Sequence, residues 1–279
     1  MLRNVVLALC VGAVLCDRWD PVRAGLEAWT ALQFDVSYAV VIGDATGELF
    51  SWAAPGFSID GTRMPGASLS KWPAAVMISG LVADGIMSYD DRANKFLKFW
   101  ATDPEDVRSG VTLRHLLSFT SGYTEDAGTN CSRVDAAFVH CAEQLYQVMR
   151  LSLALLGTRT IRLADQASKK YQKPGTTWAY LSSHLQFAAA MAVEASGMPI
   201  DQLFYKYLYI PFNMTSTTWC QPLVSLLHPA ASNNSMQIYR TPTNNPSIAA
   251  GITTTARDFQ HFLAGLLTYK VLPPALSEP

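Results

Sequence analysis

The segment from Val36 to Trp52 constrains the fold most. Val36 to Ile42 and Gly47 to Trp52 read as two strands, and Gly43-Asp44-Ala45-Thr46 between them reads as a hairpin turn. Leu26 to Leu32 reads as part of a helix ahead of them. After the hairpin the apolar spacing turns helical: through Ala83, over Val111 to Leu117, Ala136 to Leu155, Ser183 to Ala195, Ile200 to Tyr209 and Ala256 to Leu267. Pro211 is expected to end the fifth of these, and 228–247, rich in Asn, Pro, Ser and Thr, reads as a long loop. Two strands alone neither bury a sheet face nor cover its edges. The chain is therefore expected to be a mixed α+β protein whose sheet is incomplete at the C-terminus, that is, a truncated version of a longer protein.

Of the 279 residues 49% are hydrophobic and 15% charged, which is enough apolar material for a sizeable core. With 21 basic against 22 acidic residues and no basic stripe, no nucleic acid partner is expected. Arg3 followed by the apolar run Val5 to Leu15 reads as a signal peptide over residues 1–16, too short to span a bilayer, and no later segment reaches that length. This implies a secreted, extracellular protein. Asn130, Asn213 and Asn233 each open an Asn-x-Ser/Thr glycosylation triplet. Cys131 and Cys141 suit a small disulfide loop in an oxidising compartment, or remain thiols, and Cys220 stays unpaired. No Cys/His spacing suits a metal, so neither metal nor cofactor is expected.

Chemistry enters with Ser68-Leu69-Ser70-Lys71, which follows the turn signal Pro65-Gly66-Ala67. Residues three apart in a helix share a face, so a lysine amine reaches a serine hydroxyl one turn away and can take its proton. The spacing predicts Ser68 at the start of a buried helix that Asp84-Gly85 closes. Alone, the same residues better suit a serine N-cap and a solvated lysine, since serine is a preferred cap.

Three further segments give the tetrapeptide a context. They are Val111 to Gly122, with its Leu116-Leu117-Ser118-Phe119-Thr120-Ser121-Gly122 run, Pro174-Gly175 leading to Tyr180-Leu181-Ser182, and Gly251-Ile252-Thr253-Thr254-Thr255-Ala256-Arg257-Asp258. In this order, the four segments resemble the serine β-lactamase-related family: class C β-lactamases, penicillin-binding DD-peptidases and β-lactamase-like esterases. The resemblance implies a β-lactamase/transpeptidase-like fold. A helical subdomain, about residues 90–245, would lie against a small antiparallel sheet within one domain spanning 17–279. It also implies Ser68 as acyl-accepting nucleophile, Lys71 as the group that helps deprotonate it, and Tyr180 as the second proton-transfer group. Trp178, Ser182 and Gly251 would stand on the substrate side. His115 reads as a core or capping residue, and Asp258 as a cap or ion-pair partner of the last helix.

Two departures qualify what the resemblance implies. Ser182 stands where the family has asparagine, and a hydroxyl offers a shorter, single donor in place of an amide that both donates and accepts. No Lys-Thr-Gly or His-x-Gly triplet follows Gly251; in relatives that strand supplies an oxyanion donor, worth about 10²–10³ in rate. The expectation is a secreted serine hydrolase forming an acyl-enzyme at Ser68 on a small-molecule ester or amide, with esters favoured. The alternative is a catalytically inactive binding or scaffold protein. Oligomeric state is not legible.

Overall fold

A computed structural model describes residues 17–32, 38–124, 137–156, 171–220 and 243–277. The predicted signal segment, Asn130, Cys131 and Asn233 lie outside the described residues.

Helix α1, Asp20–Leu32, precedes the expected hairpin, β1 (Ala39–Asp44) against β2 (Gly47–Ala53). The strands are antiparallel, with Val40 opposite Trp52 and Ile42 opposite Phe50, and the register shifts between Ile42 and Gly43. Gly47, at φ +130°, closes the turn in a conformation that favours glycine. Asp44 accepts from the Thr46 N–H at 2.7 Å, an Asx-type turn.

A second sheet was not read from the sequence. Strand β5 (Ile252–Thr254) is central, with β3 (Met64–Pro65) and β4 (Thr218–Trp219) antiparallel on either side. Strands of two or three residues are too short to show alternation, which is why pattern reading passes over them. Pro65 sits in an edge strand, where its missing N–H costs no ladder bond.

Helix α2, Lys71–Ala83, and helix α6, Ser183–Ser196, form the centre and pack against each other. Both are buried on nearly every side: Ala74 and Val76 to Leu81 in α2, Ser183 to Ala192 in α6. Gly85 (φ +71°) and Gly197 (φ +68°) end them in the left-handed conformation, as expected. Around α6 lie α3 (Ala93–Phe96), α4 (Leu113–Leu117) and α5 (Phe138–Leu156). Trp100, Tyr123, Tyr146 and Phe187 join them through ring contacts of 4.8 to 6.5 Å.

Two expectations need correction. The helix from Ile200 does not stop before Pro211. It runs from α7 (Ile200–Phe204) through a wider π turn (Tyr205–Tyr209) into α8 (Ile210–Phe212), and ends at the left-handed Asn213. The π turn comes just before the proline, whose missing N–H an α-helix interior would leave as a gap. Ser68, too, lies one turn before α2, in a 3₁₀ turn over Ala67–Ser70; Ser70 takes the N-cap position and makes no side-chain cap bond.

Helix α9, Ala256–Leu267, lies beside β1, and Val41 and Gly43 of the strand and Phe259, Gln260 and Leu263 of the helix line a cavity between them. Arg257 links the same helix to Glu48 of the hairpin and to Asp60. Asp258 is buried and accepts from Ser216 N–H (2.8 Å) and Thr217 Oγ1 (2.7 Å), so it tethers α9 to the segment before β4. Cys141 in α5 is disulfide-bonded, and Cys220 is a buried thiol raised in pKa by burial. Among the described residues no helix is long and apolar enough to cross a membrane.

Candidate active site

The turn that presents Ser68 is shaped by its neighbours. At Gly66 a Cβ would come 2.5 Å from Ile252 Cγ2, so only glycine lets the chain pass this close to β5. Ala67 follows in the left-handed region at φ +43°, a costly conformation for alanine. Ser68 emerges from this bend exposed to solvent.

Lys71 Nζ donates to Ser68 Oγ at 3.0 Å and to the Ala249 carbonyl at 2.9 Å. That carbonyl belongs to a tight turn whose Ser247 carbonyl accepts from Gly251 N–H (2.8 Å) and Trp219 Nε1 (2.9 Å). The amine also lies 4.7 Å from the centre of the Tyr180 ring. The sequence drew Ser68 and Lys71 from one segment and Tyr180 from another, and the fold brings all three together. Hydrogen bonds first with Lys71 and then with Ser68 draw the Tyr180 phenol below its ordinary value, because both favour the phenolate.

Tyr180 is placed by the Leu-Leu-x-x-Thr-Ser-Gly segment. Gln172 N–H donates to the Gly122 carbonyl, Gly175 N–H to Thr120 and Ala179 N–H to Phe119, at 2.8, 2.8 and 2.9 Å, so the two segments zip together. At Gly122 (φ +93°) a Cβ would stand 2.0 Å from the Gln172 carbonyl oxygen, which makes glycine obligatory there. The Phe119 ring stacks on Tyr180 at 5.4 Å, and Trp178 completes the cluster at 6.2 Å from Tyr180. Buried His184 holds the Ser121 hydroxyl at 2.6 Å and fixes this loop to α6.

The other expected site residues fall around this centre. Trp178 is 63% exposed and Tyr180 51%, so the aromatic wall faces solvent. Ser182 is exposed at the N-cap position of α6, two residues beyond Tyr180. Gly251 is buried; its N–H and carbonyl are taken by Ser247 and Cys220, and its α-carbon abuts the Cys220 carbonyl oxygen. Trp72 packs edge-on against Phe259 and Phe262. His115 caps α4 with Thr112, as a capping role implied. Asn213 is exposed. Among the described residues no cluster of His, Cys, Asp and Glu suits a metal ion.

Ala249, Phe119 and Ser70 were not anticipated as site components. Ser70 lies inside the motif itself; the other two act through a backbone carbonyl and a ring face, for which residue type gives no signal.

The family model described as Beta-lactamase matches residues 39–278. Penicillin-binding protein 4* of Bacillus subtilis (strain 168) is 26% identical over 151 residues, which is 54% of this chain and 29% of that protein. The chain thus spans under a third of the length of this curated relative. A putative β-lactamase from Bacteroides dorei superposes with a TM-score of 0.63 at 23% identity, over 93% of this chain and 68% of the other. Simvastatin synthase (LovD) from Aspergillus terreus gives 0.62 at 20% identity, over 93% and 72%. At these identities the superpositions show the fold.

Proposed function

The chain belongs to the Beta-lactamase family, and on that footing we propose that it is a serine hydrolase that forms an acyl-enzyme at Ser68. The observation that carries this is the convergence of Ser68, Lys71 and Tyr180, with Lys71 Nζ 3.0 Å from Ser68 Oγ and the phenol drawn downward by both neighbours.

The chemistry follows from the hydrogen bonds. Lys71 hydrogen-bonds Ser68 Oγ and the Tyr180 phenol, so its cationic amine is held beside both oxygens that exchange the proton, and the Ala249 carbonyl anchors it there. Tyr180, favoured as phenolate by that cation, accepts the Ser68 proton as Oγ attacks the substrate carbonyl. The same proton then passes to the departing alkoxide or amine. Water, deprotonated by Tyr180, cleaves the acyl-serine and restores the hydroxyl. Such positioned proton transfer is worth about 10²–10⁴ in rate.

Small esters are the favoured substrates. Ser182 offers one hydroxyl where an amide carbonyl and a lysine would both need partners, and the exposed Trp178 and Tyr180 faces suit an apolar group. The protein is further proposed to be secreted and glycosylated: residues 1–16 carry a signal pattern, Asn213 is exposed and Cys141 is disulfide-bonded.

Intact mass after exposure to a fluorophosphonate tests the reading. One adduct, lost in Ser68→Ala, is expected. No adduct on the folded chain would sink the hydrolase reading and leave a binding module in its place.

A further inference from the structure

The peptide groups of Ile252 clamp the nucleophile turn from two sides. Its N–H donates to Ser70 Oγ at 2.9 Å, and its carbonyl accepts from Gly66 N–H at 2.8 Å. Ser70 uses its own proton on the Ala67 carbonyl, at 2.6 Å. The hydroxyl is fully buried, so both of its bonds run within the protein. Ala67 is the residue at φ +43°, and its carbonyl joins the peptide that leads directly into Ser68.

This places one hydroxyl between the two halves of the site. The segment 249–252 holds Lys71 through the Ala249 carbonyl at one end and the Ser68 turn through Ile252 at the other. Ser70 is the side chain through which that second end is joined. We propose that Ser70 is a positioning residue for acylation: it holds the left-handed peptide at Ala67 and so keeps Ser68 Oγ in register with Lys71 and Tyr180. Without the hydroxyl, Ile252 N–H loses its acceptor and the Ala67 carbonyl its donor, and the strained turn is free to relax. Ser68 would keep its chemistry and lose its aim. The inference rests on the acyl-enzyme reading above.

The test is a concentration series of a fluorophosphonate on the purified chain, separating the maximal labelling rate from the half-saturating concentration. In this reaction Ser68 Oγ bonds phosphorus, fluoride departs and the serine proton moves to Tyr180. Ser70→Ala is expected to lower the maximal rate by about tenfold to a hundredfold and to leave half-saturation little changed, as misplacement of a reacting group does. Ser70→Thr keeps the hydroxyl and should recover most of the rate. A Ser70→Ala rate within about twofold of wild type would overturn the proposal, as would a loss that Ser70→Thr fails to recover at equal thermal stability. If Ser70→Ala does not fold, Ser70→Cys carries the same comparison, since a thiol keeps the volume and bonds weakly. A folded wild-type chain that takes no label on Ser68 overturns the acyl-enzyme reading, and this proposal falls with it. A labelled wild type with an indifferent Ser70→Ala overturns this proposal alone.

Discussion

Lys71 carries its amine 4.7 Å from the centre of the Tyr180 ring, while the same nitrogen donates to Ser68 Oγ. One amine therefore meets the Ser68 hydroxyl and the Tyr180 ring from a single position, as the proposed mechanism requires. Removing it should have two separable consequences. Lys71→Met is expected to slow fluorophosphonate labelling by about 10²-fold or more. It should also move the Tyr180 titration back up toward 10.0, because the first cause of the downward shift is the Lys71 hydrogen bond. Difference absorbance at the tyrosinate band, with Tyr180→Phe as the blank, reads the second effect. An unchanged Tyr180 titration would show that the lysine does not govern the phenol.

Gly251 should matter through space. A Cβ there would stand 2.1 Å from the Cys220 carbonyl oxygen and 2.7 Å from that of Ser247, and backbone atoms cannot swing aside as a flexible side chain does. The strand would have to move, and with it the Ala249 carbonyl that holds Lys71. Gly251→Ala is expected to cost about 1–3 kcal/mol by thermal unfolding, the range for overpacking, and to slow labelling of the folded fraction. Unaltered stability would show that 251 tolerates a side chain, and the close-approach argument would fail.

Much of this arrangement is legible in the sequence because it rests on side chains and strong local rules. The glycine stops at Gly85 and Gly197, the hairpin signalled by Gly43 to Thr46 and the Ser68–Lys71 pair follow from chain-local chemistry. What escapes is long-range and backbone-borne. Ala249 lies 178 residues from Lys71 and contributes only a carbonyl, which any residue would supply. The strands over Met64–Pro65 and Thr218–Trp219 exist because β5 offers them a partner, and no periodicity of their own predicts them. The π turn at Tyr205–Tyr209 likewise answers a proline that local rules treat as a stop.

His115 gives the fold a dependence on pH. Its Nδ1 accepts the Thr112 N–H at 3.2 Å in the capping box of α4, a role only the unprotonated nitrogen can play. Burial is the main cause that pushes its pKa below 6.5. A folded-state value depressed below the unfolded one means that the unfolded chain binds the proton first as pH falls. The stabilisation is therefore present above 6.5 and is lost as pH drops through the depressed folded value. Melting temperatures of wild type and His115→Asn, compared from pH 7.5 down to about 5.5, should converge toward the acid end, because only the wild type loses this cap. Parallel curves would remove His115 from the pH response.

Ser182 supplies the test of substrate class. It stands exposed at the N-cap position of α6, two residues beyond Tyr180, at the place where the family has asparagine. The serine hydroxyl has a single proton to give, whereas asparagine offers a carbonyl to the lysine and an amide N–H to an acyl substituent at once. Ser182→Asn should therefore leave activity on small esters within about threefold and raise acylation by a β-lactam relative to them by about tenfold, the scale of one well-placed polar contact. The ratio of kcat/KM for a chromogenic cephalosporin to that for a short-chain nitrophenyl ester measures it. If the variant instead loses ester turnover and gains nothing on the lactam, Ser182 itself contacts the ester. The preference for esters would then come from this hydroxyl and not from the absence of an amide.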